Sequence, residues 1–537
     1  MWASVCGAIV GLSLMLMSAN REAAPAAAPT VFLTRQERQV GDVVAVMTVA
    51  NVFALLLLVT DRYWTSVSIG AALIALLWAG NRLKVAILNE VLVFSDIFLA
   101  GHALRYPRLY FGYAPKWVWP VVIAGGAALG WCLTIEAPMN VLTDGERLGF
   151  VGLWLGGGGL MVVRMAKPSG RIKSFLSHYP MSFDTQTDAW AYTPLGAALL
   201  HVLRHGQYRH ALRVRFAKIK GESVRSFDGK HTPALGHRLL IQAESFVPIG
   251  ALLDRPSRMP AIDELMCRST SGALKLDWRG AYTMRTEFAV LTGIAPRELE
   301  TYGFDPYRLA AMMPMQSLAW QLKAQGYRTV VCHPNDARFF ERDKVMKNLG
   351  FDEFIDLSVL QTKWPKMMEK SALCGRYVSD ASLLQWAAEY LRAAKIPTFL
   401  FIITMEAHGP WDGRKFEGAQ ALSEVERYEV HLSHLNEGVV RIGKAWGKND
   451  ALSILMYGDH LPGLEALRAR TQDIPADTVW LMWDGRSYIE MASAKSGRLR
   501  TGSQLKPEDL GKKWVHLGSP WNAALTFKKK YRSSRKP

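Results

Sequence analysis

Four short apolar runs, each closing on an acid, base or metal-ligating side chain, constrain this chain more than any other feature. LLIQA runs into Glu244, TVVC into His333, TFLFIITM into Glu406 with His408 just beyond, and LSILMY through Gly458 into Asp459 and His460. The runs have the length and boundaries of buried strands. Between them lie helical patterns at Pro306 to Leu322, Ser382 to Ala394 and Ser423 to Trp446. This alternation predicts an α/β domain with a largely parallel central sheet. In such a sheet a ligand binds beyond the carboxyl ends of the strands. An isolated His or Asp is more often a satisfied core or loop residue than a ligand. Four strands ending in Glu, His, His and Asp-His make a stronger pattern, because the sheet brings those ends together.

The first 167 residues read differently. Apolar windows at about Val43 to Thr60, Trp64 to Gly80, Val118 to Ile135 and Gly149 to Met165 have the character of spanning helices. Ile87 to Leu104 is weaker, because it holds Glu90, Asp96 and His102. Met1 to Met17 is short and fits a signal-like segment, a further span or a misassigned start. The whole chain has 537 residues, 50% hydrophobic and 21% charged, which suits a membrane part joined to a soluble part. The expected layout is a multi-span helical membrane domain over 1–167 (about five spans), a connector over 168–236, a catalytic domain over 237–500 and a basic tail over 501–537. With Arg21, Arg35 and Arg38 cytoplasmic and Ile87 to Leu104 spanning, everything after Met165 lies on the outer side. Arg105, Arg108, Lys116, Arg164, Lys167, Arg171 and Lys173 count against that orientation, and charge alone tolerates the reverse. Gly156 to Gly159 suits close helix packing better than phosphate binding. Asp96 fits a polar cavity for a lipid headgroup, or equally a helix end or re-entrant turn.

The formal charge of +17 suits nucleic acid, anionic lipid or a phosphate-rich substrate. No zinc-finger or RNA-binding signature is present, so a membrane surface ranks first and no nucleic-acid partner is expected. His205 to Lys220 interleaves basic and apolar residues and fits a membrane surface or a solvated helix face. Lys528, Lys529, Lys530, Arg532, Arg535 and Lys536 repeat the theme at the end. The cysteines Cys6, Cys132, Cys267, Cys332 and Cys374 show no metal-type spacing. Cys332 reads as a buried free thiol, and a pair between Cys267 and Cys374 stays open.

One stretch has the form of a nucleophile segment. In GAYTMRTEFAVLTG, Gly280 to Gly293, Met284, Phe288 and Leu291 recur at helical spacing, and Thr283 stands where the helix begins. A threonine there is either a plain N-cap or a hydroxyl facing an anion at the helix N-terminus. On this stretch alone the cap is the commoner case. The strand ends change the balance. Glu244, Asp459 and His460 offer two carboxylates and an imidazole, a set that suits one divalent ion such as Mn²⁺ or Zn²⁺. A cation beside the Thr283 hydroxyl would activate it as a nucleophile. His408 then suits binding a phosphate oxygen or protonating a leaving group, and Arg342 suits a bidentate phosphate clamp or a plain surface position. The chemistry implied is two-step phosphoryl-group transfer through a phosphothreonine.

These residues resemble the alkaline phosphatase/sulfatase superfamily, in its membrane-bound lipoteichoic acid synthase and phosphoglycerol transferase branch. AESF (Ala243 to Phe246) looks like the first metal-ligand strand, TMRTEF (Thr283 to Phe288) like the nucleophile segment and YGDH (Tyr457 to His460) like the paired Asp-His ligands. HPNDARFFERDKVMKNLGFDEFID (His333 to Asp356) is similar to the substrate-binding stretch, with Phe340 and Arg342 at its matching positions and His333 and Asn335 upstream. MEAHGPW is similar to the segment that carries the substrate-binding histidine, here His408. Val247, Asn335 and Phe340 depart from the residues frequent in the family. The Gly-Glu-Thr signature of lipid A phosphoethanolamine transferases is missing, which favours phosphoglycerol as the group moved. The sulfatase Cys/Ser-x-Pro-x-Arg motif is missing too.

The resemblance implies Thr283 as nucleophile and Glu244, Thr283, Asp459 and His460 around a single Mn²⁺ or Zn²⁺. It implies Arg342 and His408 on the phosphate, helped by His333, Asn335 and Phe340. It further implies a phospholipid donor, a glycan acceptor and a multi-pass protein of the bacterial inner membrane with its catalytic domain on the periplasmic or outer side. A phosphodiesterase or phosphatase with water as acceptor would use the same residues. A degenerate scaffold for glycan export is the non-enzymatic alternative.

Overall fold

The computed structural model describes residues 2–22, 35–88, 118–166, 236–278, 280–446, 451–468, 477–484 and 504–517, with scattered positions between 90 and 212. The amino-terminal part contains the helices α1 (Trp2–Glu22), α2 (Arg35–Thr60), α3 (Tyr63–Leu88), α4 (Val118–Ile135) and α5 (Asp144–Ala166). Leu12, Val49, Phe53 and Ile74 form a small core between the first three. Large apolar side chains point outward elsewhere: Leu76 is 67% exposed, Ile123 71%, Trp131 69% and Leu153 73%. Outward apolar surface of this kind suits lipid rather than water. The Glu136 carboxylate accepts the Trp64 and Thr65 amides at 2.7 Å each and so caps the start of α3.

Among the described residues one helix, Tyr63–Val85, is long and apolar enough to cross a bilayer; Ser4–Met15, Val46–Thr60 and Val122–Ile135 are shorter apolar helices. The expected multi-span arrangement thus meets the length criterion at one span only. The window at Ile87 to Leu104 starts in α3, but residues 90–93 are not helical and most of the rest lies outside the described residues. Among the described residues nothing lies within 4 Å of a Cβ placed at Gly156 or Gly157, the first two positions of the run expected to pack closely.

The second part is built on β1 (His237–Ala243), β2 (Thr270–Leu274), β3 (Arg328–Cys332), β4 (Glu353–Ile355), β7 (Thr398–Ile403), β8 (Leu452–Gly458) and β9 (Thr478–Asp484). These make a seven-stranded sheet in the order β2-β9-β8-β1-β7-β3-β4. The run from β8 to β4 is parallel, and β9 and β2 close one edge antiparallel. A separate small ribbon pairs β5 (Leu373–Cys374) with β6 (Tyr377–Val378). The α/β architecture and the largely parallel sheet expected from the sequence are therefore present. β1 lies at the centre, and Leu239, Leu240 and Ile241 are fully buried in succession. Both faces are covered, which is why the run is continuous rather than alternating. On one face Leu239, Ile241, Leu400, Ile454 and Met456 pack with Leu384 of α8 (Asp380–Ala393) and Leu432 of α9 (Glu424–Ala445). On the other, Leu240, Phe401 and Leu455 pack with Phe288 and Leu291 of α6 (Thr283–Thr292).

Two expectations need correction. The helical pattern over Pro306 to Leu322 is two helices, Pro306–Met312 and Leu318–Ala324. Pro314 interrupts it, and Ser317 restarts it by capping the Trp320 amide. The basic tail does not begin at 501, because α10 (Pro507–Leu517) belongs to the domain. Its Leu510 and Trp514 are buried in the same core as Phe288, and the Trp514 indole donates to Ser453 Oγ on β8 at 2.9 Å. Lysines around this short amphipathic pattern hid it. The basic cluster from Lys528 to Lys536 lies outside the described residues, as does most of His205 to Lys220.

Candidate active site

The register of β1 and β8 sets Ala243 opposite Gly458, so the residues that follow, Glu244 and Asp459, emerge side by side. Ser245 turns the chain sharply after the strand at φ 54. Its amide donates to Asp459 Oδ1 at 2.7 Å and its hydroxyl to Glu244 Oε1 at 2.9 Å. The His460 amide also donates to Asp459 Oδ1, at 3.0 Å. His460 Nδ1 meets the Leu461 carbonyl at 3.0 Å. With that nitrogen donating its proton, Nε2 turns its lone pair toward the carboxylates, as a metal-ligating histidine does. Nε2 lies 3.5 Å from Glu244 Oε1 and 3.3 Å from Asp459 Oδ2.

Thr283 completes the group, with Oγ1 3.4 Å from His460 Nε2. It is the first residue of α6 and not its cap: Tyr282 holds the N-cap position, and no side chain caps the helix. The hydroxyl is thus free of the role that the local sequence favoured. Thr286, one turn on, is fully buried and donates to the Asp459 carbonyl at 2.6 Å. It supports the ligand loop from below, whereas Thr283 is the threonine at the cluster.

Glu244, Asp459 and His460 bring ligand atoms within 4.8 Å of one another. All three are buried, and among the described residues no hydrogen-bond donor is placed on Asp459 Oδ2. Burial and the neighbouring Glu244 charge push the Asp459 carboxyl up to about 6. Burial works against a charge on His460, but Asp459 and Glu244 outweigh it and raise that pKa. Lone pairs that converge in this way call for a proton or a cation between them. The donor set of carboxylate, carboxylate, imidazole and hydroxyl fits a divalent ion.

His408 follows β7 and is half-buried, with Nδ1 at 2.7 Å from the Gly409 carbonyl. Burial, with Lys415 and His460 nearby, holds its pKa down at about 4. It is therefore neutral at pH 7, and its Nε2 side is an acceptor.

Arg342 opens α7 (Arg342–Asn348) and is only 2% exposed. It is not a surface arginine. Its guanidinium meets Glu287 Oε2 at 3.1 Å and His333 Nε2 at 3.3 Å, while Nε has no partner among the described residues. Burial opposes its charge, but Glu287 and Tyr307 more than offset it. His333 is buried, its Nδ1 meets the Ile403 carbonyl at 3.1 Å, and burial together with Arg342 keeps it well below the usual histidine pKa. Phe340 stands in the left-handed region at φ 56 with its ring 5.6 Å from the Arg342 guanidinium carbon. Asn335 Nδ2 is buried without a partner. The structure thus gathers Glu244, Thr283, Asp459 and His460 into one cluster. It sets Arg342, His333 and Phe340 together in a second group tied to α6 through Glu287.

Sequence reasoning missed that tie. Glu287 is fully buried one turn after Thr283, and it gathers Arg342, the Tyr307 hydroxyl and Gln242 of β1. Its place inside TMRTEF was the available signal. Also unforeseen was the contact of α6 with the amino-terminal part. Arg285 pairs with Glu90 at 2.7 Å, and the Tyr282 hydroxyl donates to Asp96 at 3.3 Å. Lys84 bridges Glu90 at 3.3 Å and Asp96 at 2.7 Å. Asp96 is therefore held by protein groups, which accounts for its charge without a headgroup.

Residues 237–500 match the Sulfatase family. The capsular polysaccharide biosynthesis protein RkpI of Rhizobium meliloti is 26% identical over 409 residues, covering 72% of this chain and 71% of that protein. The lipoteichoic acid synthase of Staphylococcus saprophyticus is 26% identical over 183 residues, 30% of this chain and 27% of the synthase. Among solved structures, the Streptococcus pyogenes phosphoglycerol transferase GacH in complex with sn-glycerol-1-phosphate covers 58% of this chain and 81% of its own, at 19% identity and a TM-score of 0.41. Residues 237–500 of this chain are thus a domain of the Sulfatase family.

Proposed function

We propose that this enzyme is a membrane-bound phosphotransferase. It moves a phosphoglycerol group, or alternatively a phosphoethanolamine group, from a phospholipid to a cell-surface or periplasmic glycan. The observation that carries the reading is the Thr283 hydroxyl at the start of α6, 3.4 Å from His460 Nε2 and next to the Glu244 and Asp459 carboxylates. Sulfatase-family membership and relatives named for capsular polysaccharide and lipoteichoic acid biosynthesis support it. The apolar amino-terminal helices suit a multi-pass anchor in the bacterial inner membrane, with residues 237–500 as an outer-side catalytic domain.

Glu244, Asp459, His460 and Thr283 would hold one Mn²⁺ or Zn²⁺, which when bound supplies positive charge to lower the hydroxyl pKa and offset phosphate charge. The chain's own groups do the rest. Thr283 Oγ forms a bond to the donor phosphorus as the phosphorus–oxygen bond to diacylglycerol breaks. The α6 amides face the phosphate oxygens. His408 stands beside the cluster as a neutral imidazole whose Nε2 takes or returns a proton. The leaving diacylglycerol oxygen gains a proton. A glycan hydroxyl then attacks the same phosphorus as the Thr283 Oγ–phosphorus bond breaks, and the glycan proton passes by way of His408 to Oγ, which restores the free Thr283 hydroxyl. Arg342, His333, Asn335 and Phe340 form the wall that would receive the headgroup.

Incubating the purified full-length protein with headgroup-labelled phospholipid, followed by peptide mass spectrometry, tests the reading. The expected adduct sits on Thr283 and its mass names the headgroup. Donor consumption by Thr283→Ala at the wild-type rate would refute it. Label that reaches water but no added glycan would turn the assignment to a phosphodiesterase.

A further inference from the structure

A second group of ligating side chains lies in the domain, built from residues that the mechanism does not use. Cys374 ends β5, Glu406 sits three residues after β7, and His431 and His434 lie one turn apart on α9. The thiol sulfur, a carboxylate oxygen and one nitrogen of each imidazole all lie within 4.8 Å of one another. Both imidazoles turn Nδ1 to the same oxygen, Glu406 Oε1, at 2.8 Å from His431 and 2.6 Å from His434. Cys374 Sγ is 3.8 Å from His431 Nδ1. Tetrahedral zinc, with bonds of roughly 2.3 Å to sulfur and 2.0 Å to nitrogen, sets those two ligands about 3.6 Å apart.

The surroundings favour a cation over a plain hydrogen-bond network. Glu406 and His431 are fully buried, and only the His434 side chain, 31% exposed, reaches solvent. Glu406 Oε2 is fixed by the Asp380 amide at 2.6 Å, which aims Oε1 at the imidazoles. Asp380 itself is buried, and among the described residues its Oδ1 has no hydrogen-bond partner. Two adjacent buried carboxylates are costly without compensating charge. The nearby Lys415 directs its ammonium to the His408 carbonyl. A thiolate, two imidazoles and a carboxylate are the donors of a closed structural site for a borderline-soft divalent ion.

We propose that Cys374, Glu406, His431 and His434 bind a second divalent transition-metal ion, of the zinc class, separate from the Glu244–Asp459–His460 cluster. Its effect is mechanical. It ties the β7 loop, which carries His408 two residues after Glu406, to α9 and to the β5–β6 ribbon.

Metal analysis of the full-length protein in detergent, loaded with Zn²⁺ and freed of excess, tests this. Wild type should hold two equivalents, Cys374→Ser one and Asp459→Asn one. Cobalt loading gives a reading that does not depend on any variant folding. Co²⁺-loaded wild type should show the near-ultraviolet thiolate-to-cobalt charge-transfer band. Asp459→Asn should keep the band and Cys374→Ser should lose it. A single equivalent in wild type that Cys374→Ser leaves intact, or Co²⁺-loaded wild type without the thiolate band, would overturn the proposal.

Discussion

The Arg285 guanidinium holds the Glu90 carboxylate with two nitrogens, at 2.7 and 3.2 Å, and so joins α6 to the segment just after α3. Both partners are buried, at 3% and 2% exposure. Removing one leaves the other charged and unpaired, at a cost of about 3–5 kcal/mol. Glu90→Ala should therefore lower the melting temperature. It should reduce kcat while metal stoichiometry at the Thr283 cluster stays the same. Unchanged melting and turnover would show that the pair does not couple the two parts.

Thr283→Ala should abolish the covalent adduct and lower kcat by about 10³-fold or more, equivalent to about 4 kcal/mol of barrier. Thr283→Ser should retain the adduct at reduced rate. Thr286→Ala should instead act through stability, because its hydroxyl supports the Asp459 carbonyl. A melting curve beside a single-turnover assay separates the two threonines.

Removing the cation should expose the converging lone pairs of Glu244, Asp459 and His460. Chelation should lower the melting temperature, and Mn²⁺ at about 100 times its Kd should restore about 2.7 kcal/mol. Asp459→Asn should lose most of that response. A wild-type melt indifferent to chelator would contradict metal binding there.

His408 gives a pH signature. Its folded pKa of about 4 lies below the 6.5 of an unfolded histidine. The unfolded chain therefore binds the proton first as pH falls. The contribution to stability is full above pH 6.5, declines between 6.5 and 4 and stays low beneath that. His408→Gln should flatten the fall in melting temperature across that window. Equal slopes in the two proteins would place the histidine in an ordinary solvent environment.

The strand ends were legible because a parallel sheet leaves a mark in one dimension: a short apolar run and a polar residue after it. Glu244, His333 and Asp459 all follow their strands as that pattern requires. Hydroxyl orientation was not legible: the local stretch favours a cap at Thr283, the strand ends favour a nucleophile, and the structure gives the cap position to Tyr282. Arg342 read as a surface residue or a clamp, because nothing in the local sequence tells that Glu287, 55 residues away, would bury with it. β2 and β4 were missed because one carries Ser and Gly and the other has three residues. The Cys374 cluster draws on three separate elements, so no spacing rule could assemble it.

The pairing of Ala243 with Gly458 has a consequence for synthesis. Ser245 and the Asp459 side chain it holds lie 214 residues apart in the chain. A nascent chain that has not yet supplied β8 carries Thr283 without its Asp-His partners. On the proposed mechanism its hydroxyl is then an ordinary alcohol, and the site is complete only once β8 has paired beside β1.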